Sequence, residues 1–481
     1  MSGQKTSPFF GGIKLAMATV MVTFLFLGGI SYFASPGYIH TVPPMRLKET
    51  SQELTAMTGG VGNKVQLAIE EIEKVLSQQR KQLGVTPLMV EKALKHVTST
   101  SNLQSIILDA VTRNRTLRVG VAGGSISARK YSYANVFTEA MQFVLNVSVE
   151  LHNAAVGATD SRFYAYCFGS LLNIHELDIV LWEFAANDFI KKIGPWAQED
   201  FTRVILNLPQ KPQLIFVNFL HGQQMKKKSC VNNEKIGSEP LSRYYDVPSI
   251  SMPDAVCPQV KRPDFRVTDI AVSARDGHPN PKNHKLMGLF LCELLKDVLQ
   301  NVTNSVETSP SFGLNLNARG DRLPHALFPE SVVYLPNCWT ALATKTKENV
   351  KLLQPLSTKG WELYAPNNEA SPNRTDIKQF WRNNKTNNSI TFSFELKPYQ
   401  NFNCTVSIAT FGGPKCGKAK VYLDGNTKSA VVVNGKWGYS VTLTQRISNN
   451  IPPGKHNLTI VAQRGGFFQL CAIMTSHSVK N

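Results

Sequence analysis

Ser125 stands directly after Gly123-Gly124, at the end of the apolar run that opens LRVGVAGGSIS (Leu117–Ser127). A hydroxyl at the carboxyl end of a buried strand sits at the mouth of an open α/β sheet, where such folds carry out chemistry. Serine becomes a nucleophile only when a base takes its proton, and imidazole is the side chain that titrates near neutrality. His278, in Asp276-Gly277-His278-Pro279-Asn280, is the candidate base, and Asp276 the candidate carboxylate that fixes its tautomer. Asn187 ends the apolar stretch DIVLWEF followed by Ala185-Ala186-Asn187-Asp188, and a further block, Asn153–Ser161, contains Gly157-Ala158. The Ser125 amide, the amide of Gly157 or Ala158, and the Asn187 side chain are candidate donors to an oxyanion. Each such donor is typically worth about 3 kcal/mol in the transition state. Serine, imidazole and converging donors together describe acyl transfer, which requires neither metal nor cofactor.

The elements needed to position these groups are legible around them. Strands are predicted at Leu117–Gly123, Val147–His152, Asp178–Phe184 and Gln213–Leu220, and helices at Tyr131–Leu145, Arg162–Leu172, Pro195–Leu206 and His284–Val302. Alternation of this kind gives a parallel sheet with helices on both faces. Residues 221–264 lack periodicity and are expected to form a long functional loop beside the sheet mouth.

The four blocks, in this order, resemble the SGNH (GDSL-like) esterase superfamily over roughly residues 115–302. The resemblance implies a flavodoxin-like sheet, Ser125 as nucleophile, His278 and Asp276 as its partners, and an oxyanion hole from Ser125, Gly157 or Ala158, and Asn187. The sequence departs from the family pattern in three places. Gly-Gly-Ser replaces the commoner Gly-Asp-Ser, Ala158 stands where glycine is usual, and Arg275 occupies the position three residues before His278, leaving Asp276 two before it.

Leu15–Phe33 is an uncharged 19-residue stretch preceded by Lys5 and Lys14, long enough to span a bilayer as an uncleaved signal anchor. That implies a type II membrane protein facing the ER or Golgi lumen or the cell exterior, with residues 1–14 in the cytosol. The sequons Asn114, Asn146, Asn301, Asn373, Asn384, Asn387, Asn403 and Asn457 and all 8 cysteines follow the anchor. In an oxidising compartment Cys230 with Cys257, Cys404 with Cys416 and Cys338 with Cys471 are plausible pairs, with Cys167 and Cys292 as buried thiols; spacing does not fix the pairing.

Residues 34–113 are read as a helical stem, 114–302 as the catalytic domain and 303–330 as a linker. From 331 to 481 short β-type runs alternate with Gly, Asn and Pro turns, which predicts an antiparallel β-sandwich of the jelly-roll kind. Trp361, Trp381 and Trp437 fall in or beside its turns and are candidates for stacking on a sugar. The net charge of +18, with a cluster at Lys226-Lys227-Lys228, suits acidic glycans or an anionic membrane surface. Nucleic acid is not expected as a partner, given this topology and a sequence with no zinc finger, recognition-helix signature or phosphate loop. Two classes fit: a serine esterase or O-acyltransferase acting on acyl, above all acetyl, esters of glycans, and a catalytically degenerate SGNH-fold protein that binds glycans. The oligomeric state is left open.

Overall fold

Val119, Val121, Ile179, Leu181, Ile215 and Val217 alternate along three strands with Ala122, Val180, Trp182, Leu214 and Phe216, and the two sets enter different apolar cores. That is the pattern of a sheet covered on both faces. The computed structural model describes residues 50–220, 233–260, 262–269, 271–272, 277–308, 323–345, 351–366, 373–399 and 403–478. The anchor segment Leu15–Phe33, the lysine cluster, Cys230 and Asp276 lie outside the described residues.

Helices α1 (Thr50–Leu83), α2 (Pro87–Leu94) and α3 (Ser101–Arg113) precede strand β1 (Leu117–Gly123). Then follow α4 (Tyr133–Leu145), β2 (Val149–Asn153), α5 (Ser161–Leu171), β3 (Ile179–Glu183), α6 (Ala185–Lys191), α7 (Pro195–Leu206) and β4 (Gln213–Asn218). The domain closes with α8 (Ser238–Tyr245), β5 (Ser249–Ser251), α9 (Met252–Val260) and α10 (Pro281–Thr308). All four strand pairings are parallel, in the order β2-β1-β3-β4-β5. This is the flavodoxin-like order, whose switch point lies between β1 and β3.

Two expectations are corrected. Residues 233–260, within the span read as a loop, hold α8, the fifth strand and α9. β5 is three residues long with two serines, too short and polar to show as an apolar run. From Val65 onward the segment read as a stem is part of the catalytic domain's own core: Val65, Ala68, Ile72 and Leu76, at helical spacing, are buried in the same apolar cluster as the residues of α10. Arg80 clamps this helix down, donating from Nε and Nη2 at 2.6 Å each to the two oxygens of buried Glu293 in α10.

The C-terminal part contains β6 (Tyr334–Thr340), β7 (Ala343–Thr344), β8 (Ser357–Thr358), β9 (Glu362–Tyr364), β10 (Asp376–Ile377), β11 (Phe380–Asn383) and β12 (Ser389–Leu396). It continues with β13 (Asn403–Gly412), β14 (Lys418–Leu423), β15 (Val431–Asn434), β16 (Val441–Ile451), β17 (Gly454–Ala462) and β18 (Phe468–Ser478). Two antiparallel sheets, β16-β13-β18-β11-β9 with β6 on β18, and β15-β14-β17-β12-β8, share one apolar core, so the expected sandwich is present. β10 and β7 form a separate two-stranded pair.

The sandwich docks on the α5 side of the catalytic domain, where Phe380, Ala409, Ala472 and Met474 complete that core. A disulfide between Cys167 of α5 and Cys338 of β6 joins the two domains, bridging residues 171 apart in sequence. The expected Cys338–Cys471 and Cys404–Cys416 pairs do not form; Cys404, Cys416 and Cys471 are free and buried, as is Cys292. β6 lies on β18 with Cys338 opposite Met474, three residues from Cys471. β13 runs extended from 403 to 412, so at roughly 3.3 Å per residue it carries Cys404 far from Cys416. Cys257 is disulfide-bonded.

Candidate active site

β1 ends at Gly123, and the chain turns through Gly124-Ser125 before α4 begins at Tyr133. Ser125 Oγ lies 2.6 Å from His278 Nε2, the contact a general base needs to take the hydroxyl proton. His278 is held on a turn just before α10: its carbonyl accepts from Val272 N–H at 2.9 Å, and Ala271 bridges Pro279. Asn280 then caps α10, its side-chain oxygen accepting from Asn283 N–H at 3.0 Å. The turn is what aims the imidazole.

Asn187 lies inside α6, one turn past the end of β3. Its Nδ2 donates one hydrogen to Thr159 O at 2.9 Å, which turns the amide toward the nucleophile loop and leaves its second hydrogen as a candidate oxyanion donor. A Cβ on residue 124 would collide with Asn187 Nδ2, so glycine at 124 is what lets the amide approach. Neighbouring Asp188 faces the other way: its carboxylate accepts from Ser161 N–H at 3.1 Å and Ser161 Oγ at 2.6 Å. Burial, reinforced by nearby Asp160, pushes Asp188 up to about 7.

In the third block the two alternatives for the amide donor separate. Gly157 N–H donates to Asp376 Oδ2 at 2.9 Å, so it is committed to a residue of the sandwich domain. Ala158 has φ of 73°, left-handed backbone that a residue with a Cβ rarely adopts, and its amide is the remaining candidate. The glycine usual at this position would adopt that conformation without strain. Gly157 as an oxyanion donor is therefore corrected. Sequence could not show this, because its partner lies 219 residues away.

Asp276 and Arg275 lie outside the described residues. Among nearby blocks, Asp254 accepts from His96 Nε2 at 3.1 Å, and Asp269 accepts from Arg266 N–H at 2.9 Å.

One residue near the nucleophile escaped the sequence reading. Glu183, the last residue of β3, is fully buried behind the Ser125 loop; its Oε2 accepts from Ser127 Oγ at 3.0 Å and Gly124 N–H at 3.4 Å. Tyr133 Oη lies 3.0 Å from the same Ser127 Oγ. Burial pushes Glu183 up to about 8, against these hydrogen bonds. A glutamate ending an apolar strand, where a second apolar residue would fit, was the available signal.

Of the three tryptophans, Trp361 is 7% exposed and belongs to the sandwich core, and Trp381 packs against that core with Nε1 donating to Leu353 O at 2.9 Å. These two are corrected from sugar-stacking candidates to packing residues. Trp437 is exposed and meets Tyr439 edge-on with ring centroids 6.3 Å apart. Tyr439 Oη reaches Ile190 O at 3.4 Å, three residues beyond Asn187. Among the sequons, Asn114, Asn146, Asn301, Asn373, Asn384, Asn387 and Asn457 are exposed.

The parallel 2-1-3-4-5 sheet, with a serine after β1, an asparagine after β3 and a histidine before the last helix, is a flavodoxin-like α/β fold, here joined to a β-sandwich. A solved two-domain esterase (CEX) active on acetylated mannans, co-crystallised with mannopentaose, aligns with 82% of this chain and 98% of its own at a TM-score of 0.57 and 18% identity. A second structure of a two-domain esterase (CEX) active on acetylated mannans aligns with 81% of this chain and 99% of its own, at a TM-score of 0.56 and 18% identity. At that identity the likeness is one of fold, and it extends over both domains. No protein-family model matches the sequence, and neither does any curated protein.

Proposed function

We propose that the protein is a serine esterase that removes acyl groups, acetyl above all, from a glycan. The observation that carries this reading is the 2.6 Å contact between Ser125 Oγ and His278 Nε2, with the Asn187 amide beside the same loop. His278 takes the hydroxyl proton as Ser125 Oγ attacks the ester carbonyl, and the oxyanion is received by the Ser125 amide, the Ala158 amide and Asn187 Nδ2. The proton passes from His278 to the departing sugar oxygen. The acyl-serine is then cleaved by water activated by the same imidazole. A sugar hydroxyl in place of that water would make the enzyme an O-acyltransferase, and acyl acceptor competition in the assay separates the two. Asp276 remains the candidate to orient His278.

A carbohydrate substrate is supported by the exposed Trp437–Tyr439 pair beside α6 and by the two-domain likeness to an esterase active on acetylated mannans. An aromatic pair there gives an extended sugar chain a surface to stack on. The alternative of a degenerate glycan-binding protein is weakened by the intact serine–histidine contact. For location, the interdomain disulfide and the exposed sequons favour an oxidising lumenal or extracellular site, and the uncharged Leu15–Phe33 run favours a membrane anchor. No helix among the described residues is long and apolar enough to cross a membrane.

The deciding experiment follows acetate release from p-nitrophenyl acetate and from acetylated mannan by the full chain and by Ser125→Ala. Turnover abolished in the variant is expected. Equal rates in both proteins would overturn the esterase reading.

A further inference from the structure

We propose that the β-sandwich is a working part of the acyl-transfer site, because it sets the peptide orientation of the oxyanion loop through Asp376 and Thr442. This rests on the esterase reading above, since it assigns the loop 156–159 to oxyanion binding. An arm of the sandwich, residues 373–376, lies antiparallel to residues 128–130, just past the nucleophile: Lys130 N–H donates to Asn373 O at 2.7 Å, and Thr375 N–H to Ala128 O at 3.2 Å. The same arm then delivers Asp376, whose Oδ2 takes the Gly157 N–H at 2.9 Å. One short segment thus grips both the serine loop and the oxyanion loop.

The second grip comes from the far side. Thr442 N–H, near the start of edge strand β16, donates to Ala158 O at 2.8 Å instead of to a neighbouring strand. Lys191 Nζ donates to the same carbonyl at 2.6 Å and to Thr442 O at 3.3 Å, tying α6, which carries Asn187, into the arrangement. Gly157 N–H and Ala158 C=O are each held by the sandwich, and the Ala158 N–H lies between those two fixed points. Left-handed backbone at an alanine persists only where its surroundings over-determine it, and here two residues of another domain do so.

Asp376 is itself immobilised. Arg374 donates to it from Nε at 2.7 Å and from Nη2 at 2.8 Å. Burial alone would raise its pKa, but the Arg374 guanidinium together with the Gly157 amide and Lys378 outweighs that and holds the carboxyl below its usual range, so it is a charged acceptor at neutral pH. The Cys167–Cys338 disulfide and the Ser170 Oγ bond to Cys338 O at 2.7 Å fix the docking on which both grips depend. Asp376 is a positioning residue: it acts through Gly157.

The test uses the full chain with Asp376→Ala, Asp376→Asn and Thr442→Pro. Asn keeps an acceptor oxygen, and proline removes one N–H from an edge strand, where it is tolerated. Expected for Asp376→Ala and Thr442→Pro are a fall in kcat of about a hundredfold with KM for a small aryl acetate unchanged, and faster hydrogen exchange in the peptide spanning 154–160. Asp376→Asn should recover at least about tenfold of the loss. Unchanged exchange and kcat in Asp376→Ala, or an Asn variant as impaired as Ala, would overturn the proposal. Exchange needs no substrate, so the grip can be judged even if the wild-type chain turned over no ester; that outcome would sink the esterase reading alone.

Discussion

Asn187 Nδ2 occupies the space that a Cβ on residue 124 would require, so the nucleophile loop and the asparagine helix are fitted to each other at a glycine. Gly124→Ala is therefore expected to push the Asn187 amide away from the oxyanion position while leaving Ser125 and His278 in place. Steady-state kinetics should show kcat lowered to about the level of Asn187→Ala, a hundred- to a thousandfold below wild type, and the double variant little worse than either. A Gly124→Ala enzyme with wild-type kcat would show that Asn187 takes no part in oxyanion binding.

Ser125 and His278 are in direct contact and should behave as one unit. Ser125→Ala and His278→Ala should each remove nearly all turnover, and combining them should cost little more, because removing either partner already disables proton transfer. Losses that multiply would mean the two side chains act separately.

Much of this site was legible because its signals are local. β1 matches its expected bounds, Leu117–Gly123, since an apolar run stopped by two glycines leaves little room for error. Ser125 and His278 were legible by type, as few side chains can be nucleophile and base. What escaped was long-range or short. The Gly157–Asp376 bond joins residues of different domains, and no periodicity announces it. Cys167 pairs with Cys338 across the domain boundary, a docking of two domains that cysteine spacing does not encode. α6, seven residues long, sits in a stretch that reads equally well as a helix cap.

The interdomain disulfide closes a long loop, so its removal should be costly. Replacing Cys167 and Cys338 together by alanine is expected to lower unfolding stability by about 2–5 kcal/mol. Because the sandwich grips the oxyanion loop, kcat should fall with it at temperatures where the protein is still folded. Chemical denaturation alongside acetate release checks both. A variant equally stable and equally active would show that non-covalent packing alone fixes the domains.

Glu183 makes stability depend on pH in a direction opposite to that of an ion-paired carboxylate. Its ordinary value is 4.5, and burial behind the nucleophile loop raises it to about 8 in the folded protein. Between these values the native state holds a proton that the unfolded chain has released, so raising the pH favours unfolding. The contribution is complete below about pH 4.5 and lost as pH rises through about 8, with a slope of at most about 1.4 kcal/mol per pH unit for one proton. Asp188, raised to about 7 by burial, adds a similar slope at lower pH, so the effect of Glu183 must be read by difference. Glu183→Gln copies the protonated carboxyl and keeps an acceptor for Ser127 Oγ. Urea unfolding at pH 5, 6.5 and 8 should find the variant close to wild type at pH 5 and increasingly more stable than wild type toward pH 8. If the two stability curves run parallel over this range, Glu183 is already ionised in the folded protein, and the carboxyl behind the Ser125 loop is a charged acceptor instead of a neutral one.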